Sequence, residues 1–461
     1  MKLTMTKILS NNPSLRLWRQ MIMLAALSGS LSFPTLSVAQ DYLSLSEVIS
    51  MATKNNQYYH YMKSNIDVAT QELSIKRGAQ LPKIDLVASY LYSPFEDKRL
   101  VPRAALSNVE ANNRFSDQIA SVGLSASYAL YTGGKLSAEE DIAKFSTVKA
   151  TMDARQTLDD LILQVTQQYY QLNALTNLAE AVRKSSAQLT EALRIVKKEM
   201  KVGKAASIDK LKIESRLANV NQTLINIQTS IKKNKILLNS LIVPDNSTEE
   251  YDFKIVQIEQ PKGTVTKYNQ GQLVEQALIN RPAIKALKAQ IKIQKQKIIV
   301  AQSANKPQLK IRANYSINQG NTNYSENIDD ANIGLYFSMP LFDGGVITSN
   351  TQKTQSQLSR LKFQEQDLVL ATKRQVLDSL QNINQAQQSM LNSEMNLSAA
   401  RESLRIESLK LEVGKGIVND LLDAQAESLK AEFIAIQAIV DLKIAQAELD
   451  RSIGNRSKLN E

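Results

Sequence analysis

The chain spells one structural unit twice, and this duplication limits its fold more than any other feature. Ala52-Thr53-Lys54-Asn55 is matched by Ala277-Leu278-Ile279-Asn280, and Pro82 and Tyr90 by Pro307 and Tyr315, at a separation of 225 (307 − 82). Farther along, Gly133-Gly134 is matched by Gly344-Gly345, Val202-Gly203-Lys204 by Val413-Gly414-Lys415 and Asp209 by Asp420, now at 211 (344 − 133). The offset changes between Tyr90 and Gly133, so one surface loop is longer in the first copy. Units repeated in this way fold alike and bury surface against one another.

Within each copy, helix-breaking residues are sparse and placed alike. Between Gly134 and Pro244 the chain has no proline and one glycine, Gly203; between Gly345 and Gly454 it has no proline and only Gly414 and Gly416. Helices can therefore run unbroken. The segments 135–201 and 346–412 would each reach about 100 Å at about 1.5 Å per residue, taller than a compact globular domain. Apolar residues follow a three-four spacing: Leu158, Leu161, Val165, Leu172, Leu175, Ala179 and Val182, then Ile213, Leu217, Val220, Leu224, Ile227 and Ile231. Leu422, Ala426, Leu429, Phe433, Ile436 and Val440 repeat the pattern after Gly414. Such seams predict coiled coils.

After Pro82 and Pro307 the period falls to two. Ile84, Leu86, Ala88, Tyr90 and Tyr92 form one alternating line and Val122, Leu124, Ala126, Tyr128 and Leu130 a second. In the other copy Leu309, Ile311, Ala313, Tyr315 and Ile317 alternate with Lys310, Arg312, Asn314 and Ser316, and Ile333, Leu335, Phe337, Met339 and Leu341 with Asn332, Gly334, Tyr336 and Ser338. Each run is about ten residues, the length a tilted strand needs to cross a bilayer. A soluble sheet with one buried face has the same alternation. Four strands leave two edges, which lipid does not tolerate, so a membrane sheet here must close with further copies of the chain; three copies would supply twelve strands.

The N-terminus reads as an export signal. Lys2, Lys7, Arg16 and Arg19 precede the apolar run Met21–Leu27, then small residues lead to Ser37-Val38-Ala39. Residues 1–39, with the only tryptophan, Trp18, are set apart from the fold. Without them the formal charge drops from +11 to +7 (11 − 4). That modest excess, on an exported chain, argues against a nucleic-acid partner. The absence of cysteine excludes disulfides, thiolate metal sites and an acylated N-terminal cysteine. No later stretch is apolar enough for a membrane helix, so any crossing must use strands.

Enzymatic chemistry finds little support. His60 is the only histidine, which excludes the usual triads and His-rich metal sites. Gly133-Gly134-Lys135 is followed by Leu136 where a phosphate loop needs Ser or Thr, so it reads as a turn. Glu139, Glu140 and Asp141 stand at a helix start, where the dipole favours acids. Lys285, Lys288, Lys292 and Lys295 read as a wet face beside Ile284, Leu287 and Ile291. No cofactor and no metal is expected.

The expected organisation is a signal peptide at 1–39, a first repeat at 40–242 with its hairpin at 83–131, a joining segment at 243–270, a second repeat at 271–455 with its hairpin at 308–342, and a tail at 456–461. The polar stretches 93–118 and 318–330 are expected to be external loops, and 243–270 a small belt around the helices.

This order resembles the TolC family of outer membrane efflux and secretion proteins over essentially the whole mature chain. The marks are Leu43-Ser44-Leu45-Ser46-Glu47 leading into Asn55-Asn56, Leu81-Pro82, Tyr131-Thr132-Gly133-Gly134, Leu341-Phe342-Asp343-Gly344-Gly345, and Val413-Gly414 followed by Leu421-Leu422-Asp423-Ala424-Gln425. The resemblance implies a mainly α chain with a membrane β-barrel: a homotrimer whose twelve-stranded outer-membrane barrel continues into a long periplasmic α-helical barrel. It implies an exit duct for drugs or secreted substrates, in contact with outer membrane lipid. The partners implied are a periplasmic adaptor, or membrane fusion protein, and an inner-membrane transporter of the RND, ABC or MFS class. Val202, Gly203, Val413 and Gly414 would form the tip that meets the adaptor, and Asp420 and Asp423 acidic rings at the periplasmic gate. Spacing alone reads Asp420 as a first-turn helix acid and Asp423 as a solvated charge. Lys310 and Arg312 are candidate lumen residues, though the solubility of a lumen wall explains them equally well. Some members brace the tip with an arginine two residues after the second glycine turn, where this chain has Gly416. The alternatives are a periplasmic coiled-coil adaptor, which would have one hairpin flanked by lipoyl-like strands, or a structural envelope protein, which would lack the alternating strands.

Overall fold

The computed structural model describes residues 42–92, 118–243, 254–255, 268–320 and 328–455. The export signal, most of the two external loops and of the joining segment, and the tail 456–461 lie outside the described residues.

Each copy contributes four helices of matching length. The first has α1 (Leu45–Asn55, 11 residues), α2 (Gln57–Gly78, 22), α3 (Lys135–Lys201, 67) and α4 (Ser207–Ile242, 36). The second has α5 (Gln270–Asn280, 11 residues), α6 (Pro282–Ser303, 22), α7 (Val346–Glu412, 67) and α8 (Val418–Ile453, 36). The two longest helices fill the segments free of proline and glycine.

Helix ends are set by local chemistry. Ser44 caps α1 in a capping box with Glu47, and Pro282 opens α6, where its fixed φ and missing N–H suit a first helical turn. Before α3, Gly133 and Gly134 both take left-handed backbone (φ +66° and +88°), and Gly344 and Gly345 repeat this before α7 (φ +65° and +81°). A side chain at Gly133 is excluded twice, since a Cβ there would also lie 2.7 Å from Lys306 Cβ.

Strands β2 (Lys83–Tyr92) and β3 (Gln118–Tyr131) form one hairpin, and β5 (Gln308–Gly320) and β6 (Ile328–Ser338) the other. They make one antiparallel sheet ordered β2-β3-β5-β6, so the copies meet where β3 pairs with β5. Two short strands, β1 (Tyr42–Leu43) and β4 (Lys254–Ile255), pair in parallel and tie the residues just before α1 to the segment joining the copies.

The core lies along the helices. On α7, Val376, Ile383, Met390, Leu397, Leu404 and Leu411 are buried at every seventh position; on α4, Ile213, Val220, Ile227, Asn234 and Leu241 do the same. A seven-residue period held this long imposes a left-handed supercoil. On α8 the apolar line read in the sequence is buried at Val440, but nearer the tip the structure departs from it: Leu422, Leu429 and Phe433 are only partly buried, against the α3–α4 cluster, while the buried line there is small or polar, Gln425, Ser428, Ala431, Ala435 and Ala438. Small side chains let α8 approach its neighbour closely, as Ala431 and Ala435 do against Leu397 and Ala400 of α7.

The sheet is different. Ile84, Leu86, Tyr90, Val122, Leu124, Ile333, Leu335 and Phe337 are exposed, and no helix packs over their face among the described residues.

Candidate functional site

Two glycine turns end the long helices at the pole opposite the sheet. Gly203 (φ +73°) and Gly414 (φ +69°) are left-handed, and each closes its helix with the same bond pair. Gly203 N donates to Met200 O (3.1 Å) and Lys204 N to Glu199 O (2.9 Å); Gly414 N donates to Leu411 O (3.0 Å) and Lys415 N to Lys410 O (2.9 Å). This is the αL cap glycine favours. The two turns are neighbours, because Glu199 lies beside Gly414 and one cluster beneath both holds Val196, Ile213, Leu404, Leu411, Val418 and Leu421. Val202 and Val413 are both about two-thirds exposed, so each turn presents an apolar knob.

Gly416 is confined differently. Its φ is ordinary, but an added Cβ would lie 2.5 Å from Leu411 N and 2.8 Å from Leu411 Cα. No side chain fits there, which accounts for the missing arginine: the chain returns too tightly on the last turn of α7.

Asp420 and Asp423 stand in the first two turns of α8, both exposed, on one flank with Glu427 and Lys430. The buried Leu421 anchors that turn below them. Lys430 pairs with Glu427 at 3.6 Å, and neither aspartate has a basic side chain within ion-pair distance among the described residues. The first-copy equivalent, Asp209, instead accepts from the backbone N of Ala206 at 3.3 Å and caps α4.

Behind the acidic flank a polar connection that sequence reading missed joins the two copies. Gln425, 2% exposed, donates from Nε2 to Ser185 Oγ on α3, and its Oε1 accepts from Arg216 Nε of α4 at 3.2 Å. Lys212 Nζ donates to Asn419 Oδ1 at 3.0 Å. A buried amide with both ends satisfied holds register between helices. Its only sequence signal was a glutamine on an otherwise small-residue line.

On the sheet, Lys310 and Arg312 are exposed on the polar face of β5, and the Arg312 guanidinium lies 4.9 Å from the centre of the Tyr336 ring. The acids at the start of α3 serve as fasteners: Glu140 accepts from Arg77 (3.0 Å) and Gln80 (2.7 Å), which hold its carboxyl below the usual carboxylate range. His60 Nε2 lies 2.6 Å from Lys54 O at the end of α1. In the region where the two copies meet, Arg281 is 8% exposed and its pKa is lowered, first by loss of water and then by Arg451, while Asp160 opposes the shift. Asp160 accepts from Arg451 Nε at 2.6 Å.

The family described as outer membrane efflux protein matches residues 48–242 and 273–455. The outer membrane protein TolC of Vibrio cholerae serotype O1 is 23% identical over 438 residues, which are 93% of this chain and 94% of that protein. The proteases secretion protein PrtF of Dickeya chrysanthemi is 27% identical over 192 residues, 40% of this chain and 37% of its own. The crystal structure of the outer membrane protein VceC from Vibrio cholerae superimposes with a TM-score of 0.74 at 18% identity, covering 89% of this chain and 96% of VceC.

Proposed function

From the premise that the chain belongs to the outer membrane efflux protein family, we propose that it is the exit duct of an export machine, a homotrimer conducting drugs or secreted substrates from the periplasm to the exterior. It is an outer membrane protein with a long periplasmic helical part, and not an enzyme.

One observation carries the duct reading: among the described residues, a sheet of membrane-crossing length has an apolar face that nothing covers and two edge strands, β2 and β6, without partners. Water penalises that face and lipid penalises those edges, so closure with further copies inside a bilayer satisfies both. Three copies give a barrel of twelve strands with Lys310 and Arg312 toward its water-filled bore. The helices carry the bore about 100 Å into the periplasm. There Val202, Gly203, Val413 and Gly414 meet the hairpin of a periplasmic adaptor that links the duct to an inner-membrane transporter of the RND, ABC or MFS class. Asp420 and Asp423, repeated by threefold symmetry, form two acidic rings across the narrow end, which attract cations and bias passage. The likeness to PrtF over two-fifths of the chain supports secreted protein as a further cargo class. No observation favours the adaptor or scaffold alternatives over this reading.

Single-channel recording in planar bilayers, with electron microscopy of detergent-purified protein, tests the proposal. Cation-blocked conductance and threefold particles with a hollow axis are expected. A monomer that stays water-soluble and conducts nothing would overturn it.

A further inference from the structure

The strands of the two copies share a pattern but not a charge. On the polar face of the sheet, Lys310 and Arg312 of β5 have Asp85 and Val87 of β2 as their counterparts, at the offset of 225 (310 − 85). Asp85 is answered within its own strand, by Lys83 at 3.1 Å. Lys310 and Arg312 have no carboxylate within ion-pair distance among the described residues. Asp330, on the same face, stands opposite Ser316, four residues along β5 from Arg312.

The neighbours of Arg312 hold it without neutralising it. Its partner on β3 is Ser127 and its partner on β6 is Gly334. The space that this glycine leaves is taken by the Tyr336 ring, since a Cβ at Gly334 would lie 3.2 Å from Tyr336 Cε2. The ring thereby meets the Arg312 guanidinium, 4.9 Å from the ring centre, and stays 48% exposed. A guanidinium packed on an aromatic ring keeps its N–H fork free for a planar acceptor. The polar row above is committed to itself: Asn314 Oδ1 accepts from Ser125 Oγ at 2.8 Å, and Asn314 Nδ2 donates to Asn332 Oδ1 at 3.1 Å.

Lys83 offsets Asp85, so each chain is left with two positive side chains at this level, Lys310 and Arg312. Arg312 is the fifth residue of β5 and lies roughly 13 Å from the start of that strand at about 3.3 Å per residue, near the junction of sheet and helices. Rings of Arg and Lys favour anions and phosphates in a pore. The screening length in about 0.1 M salt is about 10 Å, so these charges act on solutes that pass along the wall.

We propose that Lys310, Arg312 and Tyr336 form an anion-binding site on the wall of the bore, and that it serves organic anions carrying a carboxylate, sulfonate or phosphate on an apolar or aromatic body. Arg312 takes the acid group with its fork, Lys310 adds a second charge two residues away on the same face, and the half-exposed Tyr336 ring meets the body of the solute. The site has the opposite sign to Asp420 and Asp423 and lies at the other end of the helices, so the two regions act on different solutes. This rests on the duct reading, which sets the polar face around a bore, and names a solute class that the bore holds.

Single-channel currents in about 0.1 M salt, with mellitate (benzenehexacarboxylate) added on the side of the external loops, test the site. Half-block of the wild-type channel should need at least tenfold less mellitate than half-block of Lys310→Gln with Arg312→Gln, and about 1 M salt should remove the difference, because the screening length falls to about 3 Å. Tyr336→Leu keeps both charges and should weaken block roughly threefold through the lost ring contact. Arg312→Gln alone, with a loss of about threefold or more, serves if the double variant forms no channels. Equal block in wild type and variants, or no block of the wild type, would overturn the anion site and leave the duct reading standing. Wild-type protein that forms no channels at all would instead remove the duct reading, and this site with it.

Discussion

The helices α2 and α6 have the same length and the same place in their copies, yet α6 buries Ile284, Leu287, Ile291 and Ile293 while α2 buries no residue at all. Several apolar positions correspond, Met62 to Leu287, Ile66 to Ile291 and Val68 to Ile293, but their neighbours differ. One is flanked by long helices on both sides and the other on one side. The lesson extends to the strands, where β5 is paired twice and β2 once. A duplicated chain whose copies were self-sufficient would show no such imbalance. Here each copy leaves one edge strand, β2 in the first and β6 in the second, without a partner among the described residues.

The largest effect should come from putting a charge on each member of this pair. Ile293→Asp buries an unpaired carboxylate and should destabilise the protomer by about 3–5 kcal/mol in denaturant unfolding. Val68→Asp should leave the helical signal of the protomer unchanged but prevent trimers from surviving gel electrophoresis; equal loss of protomer stability in both variants would break the comparison. Next come the two tips. The counterpart of Gly416 is Ala205, so a methyl is accepted in one turn and excluded from the other. Gly416→Ala should cost about 1–3 kcal/mol through overpacking and open the second tip to limited proteolysis, whereas Ala205→Gly should not.

Smaller in stability, though not in conductance, is the contrast between the acids. Replacing Asp420 and Asp423 with Ala should abolish cation block of the channel. Asp209→Ala should leave block intact and weaken α4 by about 1 kcal/mol through its lost cap. Block unchanged in the double variant would remove both aspartates from the gate.

The smallest effect concerns how α2 and α6 are fastened. Glu140 ties α2 to α3 through Arg77 and Gln80, whereas the second copy has Thr351 in its place and uses Gln294 on Thr354 instead. Because the folded Glu140 carboxyl sits below its ordinary value, its contribution is full above the unfolded value of about 4.3 and is lost as pH falls through the lower folded one. Hydrogen exchange corrected for intrinsic rate should loosen at the α2–α3 junction below pH 4 before the α6–α7 junction. Simultaneous loosening would contradict the assignment.

Much of this was legible in the residues. The glycine pairs and the absence of proline marked both ends of the 67-residue helices, and the two-residue alternation after Pro82 and Pro307 marked the strands. Asp420 and Asp423 were visible as a pair on one face. The Gln425–Ser185–Arg216 connection was not, because its members lie on three helices and carry no local pattern. Nor was the reason for Gly416, since its φ is ordinary and the conflict is with the backbone of the preceding helix. The apolar line read on α8 marked the buried Val440 but, nearer the tip, only the partly buried contact of Leu422, Leu429 and Phe433.

Periodicity, punctuation and duplication are properties of neighbouring residues, so the chain alone settled element type, length and order, and that two like halves exist. Which flank of each helix is covered, which strands become edges and where the copies interlock depend on residues hundreds of positions apart. Such contacts have no local signature, and they were decided only when the two halves packed together.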